Sequence, residues 1–259
     1  MEWDKLTSKD FPAAVKRSGG VCLLPVGCIE KHGDHLPLGT DAIGAYEVSK
    51  AAAQRETAIV FPYYCLSAIT EARHQPGTVA IGSGLLLPLF ENICDEIGRN
   101  GLDKILIVNF HGGNQALLSF FVGNLLLEKR KPYSVYVAHA FTFAPSQSPA
   151  QETSCSHAGE LETSLMMHLA PASVTSPAGT EDGRPQGRLC HLADARLKTG
   201  IDWYSNYPNH FSGNGTPGSA EKGARFFEIL VDNLAAQIRV AKEDRAVSAL
   251  FNEFQAKAL

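Results

Sequence analysis

The chain has 259 residues, 44% of them hydrophobic, and a formal net charge of −4. That balance leaves no basic footprint for nucleic acid or an anionic membrane surface, and no apolar run reaches the ~18 residues a membrane span needs. The polar opening Met-Glu-Trp-Asp-Lys-Leu-Thr has no secretory pattern. The six scattered cysteines lack a Cys-x-x-Cys pair, so a reduced, cytoplasmic protein is expected, with no disulfide framework and no thiolate zinc site.

Strand-like apolar runs recur at Val21–Val26, Ala58–Cys65, Lys104–Asn109 and Ser134–His139. Helical patterns lie between them at Ala42–Arg55, Leu85–Asn100 and Gln115–Lys131. This alternation predicts a parallel sheet covered on both faces. Thr40-Asp41 offers N-cap chemistry for the first helix, and Asn100-Gly101 a stop for the second. Past Ala140 the pattern changes. Pro145–Ser156 is rich in Ser, Pro and Gln, and a helix follows from about Ala158 to Leu169. Pro171–Pro217 is rich in Gly, Pro and Asn and has little periodicity; loops this long carry function or lie against a neighbouring subunit. An amphipathic helix, Ala220–Lys242, follows, its core stripe formed by Phe226, Phe227, Leu230, Leu234 and Ile238. Neither a repeat nor a linker divides the chain, so one domain over 1–259 is expected, with long loops at 145–217.

The densest chemistry lies in Cys28-Ile-Glu-Lys-His-Gly-Asp-His-Leu-Pro-Leu-Gly-Thr-Asp41. Glu30, His32, Asp34, His35 and Asp41 fall within these fourteen residues, directly after the first apolar run. In open α/β sheets ligands bind at the carboxyl ends of the strands. Asn109-Phe-His-Gly-Gly-Asn114 follows the strand at Lys104–Val108 in the same way, and His157-Ala-Gly-Glu-Leu-Glu-Thr-Ser164 opens a helix. Singly, each residue has a plain reading: His111 as a hydrogen-bonded loop residue, Asp41 as a cap, Glu160 and Glu162 as acids favouring a helix N-terminus. Together they bring imidazoles and carboxylates to converging sheet ends. Glu30, His32, Asp41, His111 and Glu160 are too many donors for a three-ligand catalytic zinc. They suit two divalent ions sharing one carboxylate, with a bridging water left over. Zinc, manganese and iron all accept such a set, zinc foremost.

These segments resemble the creatininase (creatinine amidohydrolase) family. The resemblance rests on Gly27-x-x-Glu30-x-His32-Gly-x-His35-Leu-Pro-Leu-x-Thr-Asp41, Pro76-Gly77-Thr78 and Asn109-x-His111-Gly-Gly-Asn114. It continues through His157-Ala-Gly-Glu160-x-Glu162-Thr-Ser and Gly215-Thr-Pro-Gly-Ser-Ala-Glu-Lys-Gly223. It implies a three-layer α/β/α fold with a mostly parallel central sheet, a two-metal hydrolase centre and a homo-oligomer, often a hexamer. By position, Glu30 and His111 would hold one metal, His32 and Glu160 the other, and Asp41 would bridge. His157 and Glu162 would face the substrate, His157 as proton shuttle, and His35 would orient the ligand loop.

The chain also departs from creatininase itself. That enzyme takes a metal carboxylate from the second residue after the middle-motif His, where this chain has Gly113; the resemblance therefore assigns the role to Glu160. Creatininase closes its pocket with a Trp shortly before His-Ala-Gly, whereas Gln151–Ser156 has none and the chain's two are Trp3 and Trp203. His74, in Glu71-Ala-Arg-His-Gln-Pro-Gly-Thr78, stands close to a His of the family pattern. The His-Gly-Gly-Asn branch includes formamide hydrolases of cofactor biosynthesis and a peptide-trimming enzyme.

The expectation is a metal-dependent amidohydrolase in which hydroxide bridging two divalent ions attacks a small polar amide, cyclic amide or formamide. Its partners would be a small-molecule substrate and copies of itself, with no nucleic acid and no membrane. The same centre acting on a carbohydrate- or inositol-derived ketone or lactone is the alternative. A metal-free binding subunit would have lost a ligand position, and all five are present.

Overall fold

Four parallel strands form the central sheet: β1 (Val21–Val26), β2 (Ile59–Val60), β3 (Lys104–Asn109) and β4 (Ser134–His139), in the order β2-β1-β3-β4. The structure, a computed structural model, describes residues 1–127, 131–139, 145–151, 156–176 and 183–258. Alternate strand residues enter different layers, as the two-residue period of a strand requires. Val21, Leu23, Leu106 and Val108 pack with α2 (Thr40–Arg55), α5 (Glu160–Leu169) and α8 (Ala220–Glu243). Cys22, Leu24, Val26, Ile105 and Ile107 pack on the other side with α1 (Phe11–Ser18), α3 (Ser83–Arg99) and α4 (Asn114–Asn124). The fold is thus the three-layer α/β/α sandwich expected from the alternation and the family resemblance.

Three local outcomes differ from the sequence pattern. The run Ala58–Cys65 keeps only Ile59–Val60 in the ladder, because Pro62 has no N–H to donate; pairing resumes as one bridge between Val26 and Tyr64. Thr40 and Asp41 stand inside the first turn of α2, with Gly39 at the cap. The third helix ends at Asn124, and residues 128–130 of its expected range lie outside the described residues. Beyond these, α1, α6 (Cys190–Asp194), α7 (Asp202–Asn206) and α9 (Ala246–Lys257) add helices the pattern did not mark.

Two glycines set how closely elements approach. A Cβ at Gly27 would lie 2.3 Å from the backbone nitrogen of Ala42, so only glycine lets the end of β1 meet the start of α2. A Cβ at Gly223 would lie 1.8 Å from the Ser164 carbonyl oxygen, so α5 and α8 cross in near backbone contact. From β1 the chain passes to β2 on one flank and then to β3 on the other, which makes the carboxyl ends of β1 and β3 a topological switch point. Val26 pairs with Asn109 there, and the segments that follow them emerge side by side.

Candidate metal centre

Loop 27–39 and the first turn of α2 bring Glu30, His32 and Asp41 together, and the turn after β3 brings His111. Asp41 stands between two imidazoles. Its Oδ1 is 3.2 Å from His32 Nε2 and its Oδ2 is 3.1 Å from His111 Nδ1. Glu30 Oε1 lies 2.8 Å from His111 Nδ1. All four side chains are buried. His32 Nδ1 donates to the Glu30 carbonyl at 3.3 Å, which fixes the ring with Nε2 toward the carboxylates.

His111 is held by a scaffold built from its own motif. Its N–H donates to Asn109 Oδ1 (3.2 Å), and Asn109 Nδ2 donates back to its carbonyl (2.9 Å). Asn114 Nδ2 reaches Asn109 Oδ1 (3.1 Å) and Ser67 Oγ (3.2 Å), while Ser67 Oγ donates to the Gly27 carbonyl at 2.8 Å. The two asparagines therefore tie the turn after β3 to the end of β1. His111 Nε2 is buried without a hydrogen-bond partner and lies 3.8 Å from Glu71 Oε1.

From the N-terminus of α5, Glu162 Oε2 approaches His32 Nε2 to 3.7 Å and accepts from the Ala158 N–H at 2.6 Å. It thus caps its own helix while facing the centre. Glu160 points elsewhere. Its carboxylate, wholly buried, pairs with Lys222 Nζ of α8 and accepts from Gln151 N–H at 2.9 Å. Among the described residues, Glu160 joins none of the donor groups close enough to share an ion, whereas Glu162 joins one with His32 and His157. His157 packs its ring 4.3 Å from that of His32 and donates from Nε2 to the Lys31 carbonyl at 2.8 Å. His35 bonds Thr163 Oγ1 at 2.8 Å, pinning the ligand loop to α5.

Two participants escaped the sequence reading. His210, buried and in the left-handed region (φ 55), donates from Nε2 to Glu30 Oε2 and accepts from Trp203 Nε1 at 2.8 Å. The Trp203 ring also stands edge-on to His157, centroids 5.9 Å apart. No motif marks them; the signal was the density of aromatic and His residues in Trp203-Tyr-Ser-Asn-Tyr-Pro-Asn-His210. Cys28 is the other. Read as a small hydrophobe, it sets its Sγ 3.2 Å from Glu30 Oε1 and 3.1 Å from Asp41 Oδ2. His74 sits outside the centre, on the Pro208 carbonyl at 2.7 Å.

Burial alone would strip charge from these groups, but they titrate against one another. Burial opposes the charge on His32, yet Asp41, Glu162 and Glu30 hold it up to about 10. His111 likewise overcomes burial and rises well above its usual value beside Glu30 and Asp41. Glu30 and Asp41 are correspondingly depressed, against their burial, by these imidazoles. Burial lifts Glu162 to about 7, and burial with the neighbouring His32 lowers His157 to about 3. Protonated His32 and His111 thus supply the positive charge that the buried carboxylates require. Divalent ions would supply the same charge, and the donor set of imidazole nitrogens and carboxylate oxygens fits them.

Imidazole and carboxylate donors converging at the switch point of a three-layer α/β/α sheet define a hydrolase fold with the means to hold divalent metal. The chain belongs to the creatininase family: the family model described as creatinine amidohydrolase matches residues 4–238. It is 31% identical over 235 residues to the mycofactocin precursor peptide peptidase of Mycolicibacterium smegmatis, with 86% of each chain covered. It is 28% identical over 260 residues to the creatinine amidohydrolase of Pseudomonas putida, covering 91% of this chain and 95% of that one. A solved creatinine amidohydrolase superposes with a TM-score of 0.76 at 22% identity, over 94% of this chain and 98% of the other. Solved creatininases include manganese and zinc–zinc forms.

Proposed function

We propose that this amidohydrolase-family enzyme hydrolyses the C–N bond of a small polar amide, cyclic amide or formamide at a centre of two divalent ions. The observation that supports the reading is Asp41, whose two oxygens face His32 and His111 separately. One ion would be held by Glu30, Asp41 and His111. The other would be held by His32, Asp41 and Glu162, the carboxylate that approaches His32, in the role the resemblance gives to Glu160. Such ions, when bound, supply an acidified water for attack and positive charge for the developing oxyanion.

The remaining residues position and exclude. His157, neutral and partly screened by Trp203, is the group placed to pass a proton to a departing nitrogen. His210 steers the second oxygen of Glu30 through its Nε2–H. The amide reading is favoured over a ketone or lactone because relatives named as a peptidase and as a creatinine amidohydrolase both act on C–N bonds. We place the enzyme in the cytoplasm as a homo-oligomer, a hexamer by family resemblance.

The test is elemental analysis of protein purified without chelator, followed by product analysis on panels of amides, formamides and lactones. Two ions per chain and release of an amine or formate are expected. Protein that is metal-free and refuses added zinc or manganese would overturn the reading.

A further inference from the structure

The Cys28 thiol has the geometry of a ligand. Its Sγ lies 3.2 Å from Glu30 Oε1 and 3.1 Å from Asp41 Oδ2. His111 Nδ1 sits 2.8 and 3.1 Å from the same two oxygens. All four donor atoms fall within 4.8 Å of one another. A tetrahedral ion with bonds of about 2.0 Å to N and O and 2.3 Å to S holds its donors roughly 3.3–3.5 Å apart. The four atoms therefore need only a few tenths of an ångström of expansion to close around one ion. The other side of Cys28 is apolar, packed with Ile69 and Ala72, so the sulfur has nowhere wetter to turn. The contrast with Cys22 and Cys94 is instructive: both are buried in the layer formed with α3, among aliphatic and aromatic side chains.

We propose that Cys28 is a thiolate ligand of the ion held by Glu30, Asp41 and His111, which makes that half of the centre a four-donor site of mixed sulfur, nitrogen and oxygen. The inference rests on the two-ion reading above and revises the expectation that no thiolate takes part. On uptake the S–H proton leaves to buffer and a metal–sulfur bond forms, with no change in oxidation state. A thiolate favours zinc, cobalt and cadmium over manganese and magnesium, so the two halves differ in the ion they select. With four protein donors, this ion keeps no open position in tetrahedral geometry, leaving the His32–Asp41–Glu162 half as the more open one.

The experiment strips the full chain with chelator and reloads it anaerobically with cobalt(II), monitored by absorption. A near-ultraviolet thiolate-to-cobalt charge-transfer band that grows with the visible d–d bands is expected, and Cys28→Ser should lose the first while keeping the second. X-ray absorption on the zinc-loaded wild type, which needs no variant to fold, should show a sulfur neighbour at about 2.3 Å. Cobalt or zinc bound stoichiometrically with no charge-transfer band and no sulfur neighbour overturns the assignment and leaves the metal centre standing. A band that survives in Cys28→Ser overturns it as well, since another thiol would then be the source. Failure of the wild type to take up any metal would overturn this inference together with the two-ion reading.

Discussion

Glu160 and Lys222 form an ion pair across the α5–α8 crossing, two residues before the glutamate that faces the centre. Residues two apart on a helix do not share a face. With Glu162 turned toward His32, Glu160 must therefore turn away, and α8 meets it with a cation. The His-Ala-Gly-Glu-Leu-Glu motif thus divides its carboxylates between a candidate ligand and a strut that fixes the helix carrying it.

That division predicts opposite outcomes for two similar substitutions. Glu162→Gln removes a charged donor from the His32 half, and metal content should fall from two ions per chain toward one. Glu160→Gln should keep both ions. Elemental analysis of the two variants alongside wild type separates the cases, and loss of metal in Glu160→Gln with retention in Glu162→Gln would reverse the assignment.

The strut itself has a measurable worth. Lys222→Met leaves the wholly buried Glu160 carboxylate with the Gln151 N–H but without its cation. Breaking a fully buried pair costs about 3–5 kcal/mol; Lys222 keeps 26% side-chain exposure, so about 2–3 kcal/mol is expected after discounting for solvent. Urea unfolding of the chelated protein should show the midpoint drop, and Glu160→Gln/Lys222→Met should recover most of it. A single variant as stable as wild type would remove the strut.

Much of this was legible because it is periodic or local. Strand runs at Val21–Val26, Lys104–Asn109 and Ser134–His139 matched the ladder residue for residue, and the clustering of Glu30, His32 and Asp41 needed only the reach of one loop. Which of Glu160 and Glu162 turns inward depends on the phase of α5, set by its crossing at Gly223, sixty residues along the chain. His210 and Trp203 arrive on a segment with little periodicity, fastened by the bridge between Gly183 and Gly213 and by His74 on Pro208. Cys28 sits next to an apolar run and reads as core; only the return of Asp41 at the start of α2 gives its sulfur polar company.

Gly113 offers a separate check on how His111 is held. A Cβ there would come within 2.5 Å of His111 Nε2 and 2.6 Å of Glu71 Oε1. Gly113→Ala should therefore push the imidazole off its line to Glu30 and Asp41 and weaken metal retention about 10- to 100-fold, as changes to the groups orienting a ligand do. Competition with a chromophoric chelator reads this directly. Unchanged affinity would mean that His111 can shift without loosening the ion.

The acid–base pattern fixes how the metal-free and loaded proteins should respond to pH. His32, held at about 10, gains its stability contribution below the ordinary imidazole value of about 6.5 and loses it as pH rises toward 10. Glu162, lifted to about 7, binds a proton in the fold that the unfolded chain releases, so it too lowers stability as pH climbs from about 4.5 to 7. Glu30 and Asp41, depressed, act at the other end: their contribution is present above the usual carboxylate range and lost in acid. Chelated protein should therefore be most stable in mild acid, near pH 5–6 in rough terms, and weaken steadily toward alkaline pH. Metal displaces the protons on His32 and His111, so its affinity should rise over the same range with proton release on binding. Thermal melts of chelated and zinc-loaded protein from mild acid to alkaline pH should diverge as pH increases. Curves that run parallel would show that the imidazole protons and the metal do not compete for the same nitrogens.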